Sequence, residues 1–165
     1  MKRLILIRHA KSSWSDPLEE DHARPLNARG RESAEVIGEW LKQEGYLPDA
    51  ILSSDSARTR ETAALLNLGT AQTTFTRELY HASCARLLQA LQSQTADTVL
   101  MLAHNPGIGE FAFRLLAERP AHSRFLDYPT CATLVADFDV SDWAEVELFK
   151  GKARAFITPR ELLEG

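Results

Sequence analysis

Cysteine is scarce in this 165-residue chain: Cys84 and Cys131 are the two present, and neither belongs to a C-x-x-C pair. A chain of this length needs no disulfide framework, so two isolated thiols read as buried packing residues. Long apolar runs are lacking as well. Lys2 and Arg3 precede only four apolar residues, Leu4 to Ile7, too few for a signal peptide or a membrane span. A cytoplasmic protein with no membrane partner is therefore expected. An excess of positive charge is also missing. Lys and Arg number 19 against 23 Asp and Glu, a net charge of −4, so the chain as a whole has no electrostatic pull toward nucleic acid. No Asp/Glu/His cluster with metal-ligand spacing stands out. No internal repeat, low-complexity tract or linker divides the chain, and residues 1–165 read as a single domain.

What remains is an ordinary globular composition, 44% apolar and 25% charged, enough to build one full core. Leu4-Ile5-Leu6-Ile7 is a continuous apolar run, as in a strand covered on both faces. It ends at Arg8-His9, two residues that rarely belong in a core. Lys11 to Asn27 is polar and reads as a long loop, a feature that is usually functional. Ala34, Ile37 and Leu41, with Val36 and Trp40, form the apolar stripe of a helix from Ala28 to Gln43, stopped at Gly45. A strand over Asp49–Leu52 leads through Ser53-Ser54 into a helix over Ala57–Leu66. A short strand over Thr73–Phe75, a helix over Ala85–Leu91 and a buried strand over Thr98–Leu102 follow. Asn105-Pro106-Gly107 is a turn, with Pro106 placed to open a helix to about Ala117. Thr133–Phe138, Val146–Phe149 and Ala155–Ile157 are late strand candidates, and Pro159–Leu163 is a short terminal helix. The alternation predicts an α/β fold: a three-layer domain with a mostly parallel central sheet and helices on both faces.

Three predicted strands end in polar residues of one kind. The first ends at Arg8-His9, the second leads to Arg58, and the fourth ends at His104-Asn105. In open α/β sheets, ligands bind outside the carboxyl ends of strands. Two guanidinium forks suit phosphate oxygens, and imidazole can attack or exchange a proton near neutral pH. Two Arg and two His at one sheet edge, without a nearby carboxylate cluster, predict a site for a doubly charged phosphoryl group.

The motifs carry a resemblance. Leu6-Ile7-Arg8-His9-Ala10 resembles the Arg-His-Gly signature of the histidine phosphatase superfamily, which includes the phosphoglycerate mutases. The Arg-His-Ala form is common in its SixA-like phosphohistidine phosphatases. Ser53-x-x-x-x-Arg58-x-x-x-Thr62-Ala63 resembles the second-arginine motif, and Leu102-x-His104-Asn105-Pro106-Gly107 the segment of the second histidine. Asp21-x-x-Arg24-Pro25-Leu26-Asn27-x-x-Gly30 and Glu78-Leu79-Tyr80-His81-Ala82-Ser83 are similar to further SixA-group segments. The resemblance runs from residue 4 to about 110 with order and spacing kept.

It implies a phosphoglycerate mutase-like fold and a phosphatase with a phosphohistidine intermediate and no cofactor or metal. His9 would be the nucleophile, with Arg8, Arg58 and His104 around the phosphoryl group and Glu78, by position, the general acid. The mutase pattern has Asn where this chain has Ser15, so the hydroxyls of Ser12 and Ser15 are expected to share in binding phosphate, with Asn105 and Lys11 as further contacts. Asp21 and Arg24 are expected to pair and hold the long loop, and Trp14 to anchor it. The chain is short for the insertions that enclose a mutase site. A shallow site suits a phosphohistidine-bearing protein as substrate. Two other readings stay open: a small-molecule phosphomonoesterase or mutase of the same superfamily, and a non-catalytic phospho-ligand-binding module. The sequence sets no oligomeric state.

Overall fold

Leu4 to Ile7 are fully buried, and their side chains alternate between two separate cores. That is what a continuous apolar strand requires when both faces of its sheet are covered. The computed structural model describes residues 1–69 and 71–164. Its strands are β1 (Lys2–Arg8), β2 (Ala50–Ser54), β3 (Gln72–Thr76), β4 (Thr98–Ala103), β5 (Thr133–Phe138) and β6 (Lys152–Ile157). Its helices are α1 (Ala28–Glu44), α2 (Ala57–Leu66), α3 (Cys84–Gln92), α4 (Gly107–Leu115) and α5 (Pro159–Glu164). Among the described residues no helix is long and apolar enough to cross a membrane.

The sheet runs β3-β2-β4-β1-β5-β6. β1 to β4 are mutually parallel, β5 is antiparallel to β1, and β6 is antiparallel to β5. Leu4 and Leu6 join Val99, Met101, Leu134 and Phe111 in one core, under α3 and α4. Ile5 and Ile7 join Leu100, Leu102, Ile37, Leu41 and Leu66 in the other, under α1, α2 and α5. The result is the expected three-layer α/β architecture with a mixed, mostly parallel sheet. Cys84 and Cys131 are both buried and unpaired.

Local chemistry sets where the helices begin. Asn27 accepts a hydrogen bond from Gly30 N at 2.7 Å, and Ser56 and Ser83 cap α2 and α3 in the same way. Gly45, at φ 75°, closes α1 in the left-handed conformation. Two departures from the sequence reading stand out. Val146–Phe149 is not a strand. Asp142 and Glu145 form a capping box around a single 3-10 turn, Trp143–Glu145, and Phe149 takes a positive φ of 64° that ends any extension. Pro106 precedes α4 rather than opening it, and α4 ends at Leu115 rather than near Ala117.

The long loop is built rather than loose. Ser12 bridges to Leu26, and Asp21–Ala23 makes a 3-10 turn. Arg24 does not pair with the Asp21 carboxylate. Its buried guanidinium donates to the carbonyls of Ser13 and Glu19 and lies 3.8 Å over the ring of Trp14. Trp14 itself is 70% exposed, so Arg24, not Trp14, anchors the loop. The start of α1 also holds it. A Cβ on Gly30 would stand 2.1 Å from Lys11 O, a contact no side chain tolerates. Gly30→Ala must push α1 away from the segment that follows His9, at a cost of about 1–3 kcal/mol. Urea unfolding of Gly30→Ala will show the lowered midpoint; an unchanged midpoint would refute the close packing.

Candidate active site

β2, β4 and β1 are neighbours, and their carboxyl ends lie side by side. β1 delivers Arg8 and then His9. β4 delivers His104. β2 runs through Ser54 to α2, whose second residue is Arg58. The four residues from three segments converge here: the rings of His9 and His104 have centroids 5.1 Å apart, and Arg58 Nη2 stands 3.3 Å from His104 Nδ1. His9, Arg58 and His104 are 6%, 4% and 2% exposed.

Backbone carbonyls and hydroxyls set the ring tautomers. His9 Nδ1 lies 2.7 Å from Ala10 O, so Nδ1 carries the proton and Nε2 keeps its lone pair. Burial, with Arg58 and Arg8 nearby, pushes the His9 pKa down to about 3 against the opposing bond to Ala10. Its ring is therefore neutral and nucleophilic at neutral pH. Burial, then His9, Arg58 and His81, push His104 down to about 2. Its Nε2 lies 2.8 Å from Ser54 Oγ. With Arg58 donating to Nδ1, Nε2–H donates to the Ser54 hydroxyl. Because a hydroxyl can also donate, Ser54 permits the opposite tautomer, with Nδ1–H free to donate once Arg58 turns to an anion.

Arg8 is held but not neutralised, whereas Arg58 is paired with Asp21. Arg8 Nη1 donates to Tyr128 O at 3.2 Å, and its buried Nε finds no partner among the described residues. Burial and the charge of Arg58 lower the pKa of Arg8 from its ordinary value. An incoming dianion relieves both costs. Arg58 donates to Asp21 O at 2.7 Å and to Asp21 Oδ2 at 3.0 Å.

Asp21 is the residue that sequence reasoning misplaced. Besides Arg58, its carboxylate accepts from the Tyr80 hydroxyl and from His81 Nε2 at 3.0 Å. Partial burial works against ionisation, but the bonds from Tyr80, His81 and Arg58 hold the carboxyl well below the usual range. Tyr80 meets His104 edge-on at 5.4 Å, and His81, at φ 53°, packs its ring 5.0 Å from that of His104. Asp21, Tyr80 and His81 thus form one rim of the site. The shared Asp21, Tyr80 and His81 segments were visible as motifs, but nothing in the spacing showed that they meet.

The remaining sequence candidates make no hydrogen bond to the side chains of the cluster. Glu78 is exposed on the 3-10 turn Arg77–Leu79 and makes no side-chain hydrogen bond to the histidines or arginines of the cluster. Asn105 uses both ends of its amide on the chain, donating to the carbonyls of Asp127 and Tyr128 and accepting from Gly109 N. Ser12 bridges to Leu26, Ser15 pairs with Ser13, and Lys11 is exposed on a neighbouring cavity. His22 bonds Asp55, and His122 bonds Glu161.

A strand-end cluster of two guanidiniums and two neutral imidazoles is the equipment of an enzyme that handles phosphoryl groups. Residues 4–80 match the family model of the histidine phosphatase superfamily, branch 1. The fold matches that of SixA from Agrobacterium tumefaciens, a candidate phosphohistidine phosphatase, with a TM-score of 0.83 and 28% identity over 96% of this chain and 98% of that one. An uncharacterized Mycobacterium tuberculosis protein is 29% identical over 93% of this chain and 100% of its own length. An uncharacterized chloroplastic protein of Arabidopsis thaliana is 52% identical over 61 residues, 37% of this chain but only 28% of that protein. The chain is thus similar to the histidine phosphatase superfamily over residues 4–80, and its whole fold is similar to that of a SixA relative.

Two buried imidazoles make stability depend on pH. In the unfolded chain they bind protons near pH 6.5, and in the fold only near 3 and 2. Between those limits the unfolded state holds more protons, so stability falls as pH falls. His104→Asn should remove about 1.4 kcal/mol per pH unit from that slope between about pH 6.5 and 5, measured by urea unfolding at several pH values. An unaltered slope would mean that His104 titrates normally in the fold.

Proposed function

We propose that this protein hydrolyses phosphohistidine on a partner protein through a phosphohistidine intermediate on His9, with Arg8, Arg58 and His104 as the other catalytic residues. His9 carries the proposal. Its Nδ1–H is fixed by Ala10 O, and its neutral Nε2 stands beside two arginines.

In this reading the Nε2 lone pair attacks phosphorus as the bond from phosphorus to the leaving nitrogen breaks, and the substrate ring, protonated on its other nitrogen, takes that electron pair and departs as neutral imidazole. Arg8 and Arg58 hold the oxygens, and His104 donates Nδ1–H to one of them as Ser54 supplies the alternative tautomer. Positioning and charge stabilisation are the main needs of phosphoryl transfer. Water then attacks the phosphorus on His9, releasing inorganic phosphate and restoring the imidazole. The leaving group is the basis for the substrate. An alkoxide needs a strong proton donor, whereas imidazole is weakly basic, with a pKa of about 6.5. Glu78 is exposed and makes no hydrogen bond to the cluster, and Asp21 is held ionised. A site with so little acid at hand favours the labile P–N bond over a phosphomonoester. The SixA name of a 28%-identical structural relative points the same way. A cytoplasmic location, a single domain, and Ser12, Ser15, Lys11 and Asn105 as outer contacts of the substrate belong to the same proposal.

Wild type should release phosphate from a phosphohistidine-bearing protein far faster than from sugar phosphates, and His9→Ala should lose at least about a thousandfold. Labelled phosphate should appear on His9 as an acid-labile adduct. Preference for small phosphomonoesters would overturn the substrate assignment. A phosphate-binding protein with no turnover would overturn the catalytic one.

A further inference from the structure

Beside the catalytic cluster lies a cavity of about 290 Å³ whose lining includes Lys11, Arg29, Arg124 and Arg160 and no acidic residue. Four cations around one small hollow are out of character for a chain of net charge −4. Arg124 and Arg160 are braced from outside by Asp127 and Glu164, at 2.9 and 3.1 Å. Lys11 and Arg29 form no ion pair among the described residues. The hollow thus keeps two uncompensated positive charges, and Thr158 and Thr130 add polar groups to its wall.

Its position ties it to the reaction. Lys11 follows His9 by two residues, so their Cα atoms are within about 7 Å. The wall segment Pro129–Thr130 is flanked by Tyr128, whose carbonyl holds Arg8, and by Cys131, whose N–H donates to the carbonyls of Arg8 and His9 at 3.0 Å. Gly30, next to Arg29, packs directly on the Lys11 backbone. The hollow and the phosphoryl site are therefore joined through the same backbone segments. At this volume it admits one or two side chains rather than a cofactor.

We infer that this basic hollow is a docking site for an acidic segment of the phosphoprotein substrate, seating Asp or Glu side chains that flank the phosphorylated residue. The inference rests on the phosphatase reading above and adds the substrate's local chemistry. Long-range attraction would bring an acidic partner to the correct edge of an otherwise negative protein. The opposite rim, formed by Asp21, would repel the same segment and set its direction across the site.

The test uses Arg29→Glu/Arg160→Glu. Both positions lie in the first turn of a helix, where Glu is favoured by the helix dipole, so the fold is kept. The probes are two phosphohistidine peptides of equal length, one flanked by Asp and Glu and one by Ser and Ala, with p-nitrophenyl phosphate as the small control. Wild type should prefer the acidic peptide by about tenfold in kcat/KM at low salt, chiefly through KM. The preference should vanish in the double variant and in about 0.5 M salt, where screening is short-ranged. Turnover of p-nitrophenyl phosphate should not change. Fluorescence anisotropy of the unphosphorylated acidic peptide reads the hollow independently of catalysis: wild type should bind it and the double variant should not. Equal kinetics for both peptides, or binding that survives the charge reversal, overturns the docking site. Binding as expected with no turnover of any phosphorylated probe sustains the docking site and overturns the phosphatase reading instead.

Discussion

The burial of two neutral imidazoles between two guanidinium groups is the constraint on which the site depends. His9 and His104 are nearly inaccessible, and burial together with the charge of Arg58, joined at His9 by Arg8, keeps their rings unprotonated. A protonated ring there would be an unpaired buried charge. The cluster is tolerable because the sheet beneath it is fully packed and because each ring has a fixed neutral partner, Ala10 O or Ser54 Oγ. The same arrangement that costs stability supplies a free lone pair and positive charge in one place. Stability is given up where chemistry needs preorganisation.

The sheet order makes this possible. β1 and β2 are joined through α1, yet β4 lies between them. That insertion places the ends of β2, β4 and β1 in a row, with His104 next to both His9 and Arg58. The alternating faces of β1 then lock the row from above and below, since Leu4 and Leu6 serve one core and Ile5 and Ile7 the other. A shift of one residue in β1 would exchange those faces and carry Arg8 and His9 away from the edge.

Charge is organised at a coarser scale. Asp21 sits on one side of the cluster and pairs with Arg58, while Arg8 has no carboxylate partner among the described residues and keeps the site positive. Lys11 and Arg29 lie on the other side. An acidic protein thus presents a gradient across its active edge, from a bound carboxylate to a basic hollow. A net charge of −4 conceals this distribution.

Much of this was legible in the residues alone. Leu4–Ile7 and Thr98–Leu102 read as covered strands, and Gly45 marks a helix end. Arg8, His9, Arg58 and His104 stood out because polar residues closing apolar strands have little structural reason to be there. Local signals of this kind survive without the fold because the atoms involved are close in sequence. Val146–Phe149 was misread because its apolar content resembles a strand, whereas the capping box before it and the positive φ of Phe149 dictate a turn. The partner of Asp21 was hidden for a different reason. Arg24 is three residues away and Arg58 thirty-seven, and the backbone carbonyls of the loop claim Arg24 first. The sequence by itself therefore determined the buried central strands and the four groups that can handle phosphate. Only the tertiary structure decided which carboxylate faces Arg58, which histidine nitrogen is free, and where four scattered cations meet, because those depend on distances between segments that spacing along the chain does not encode.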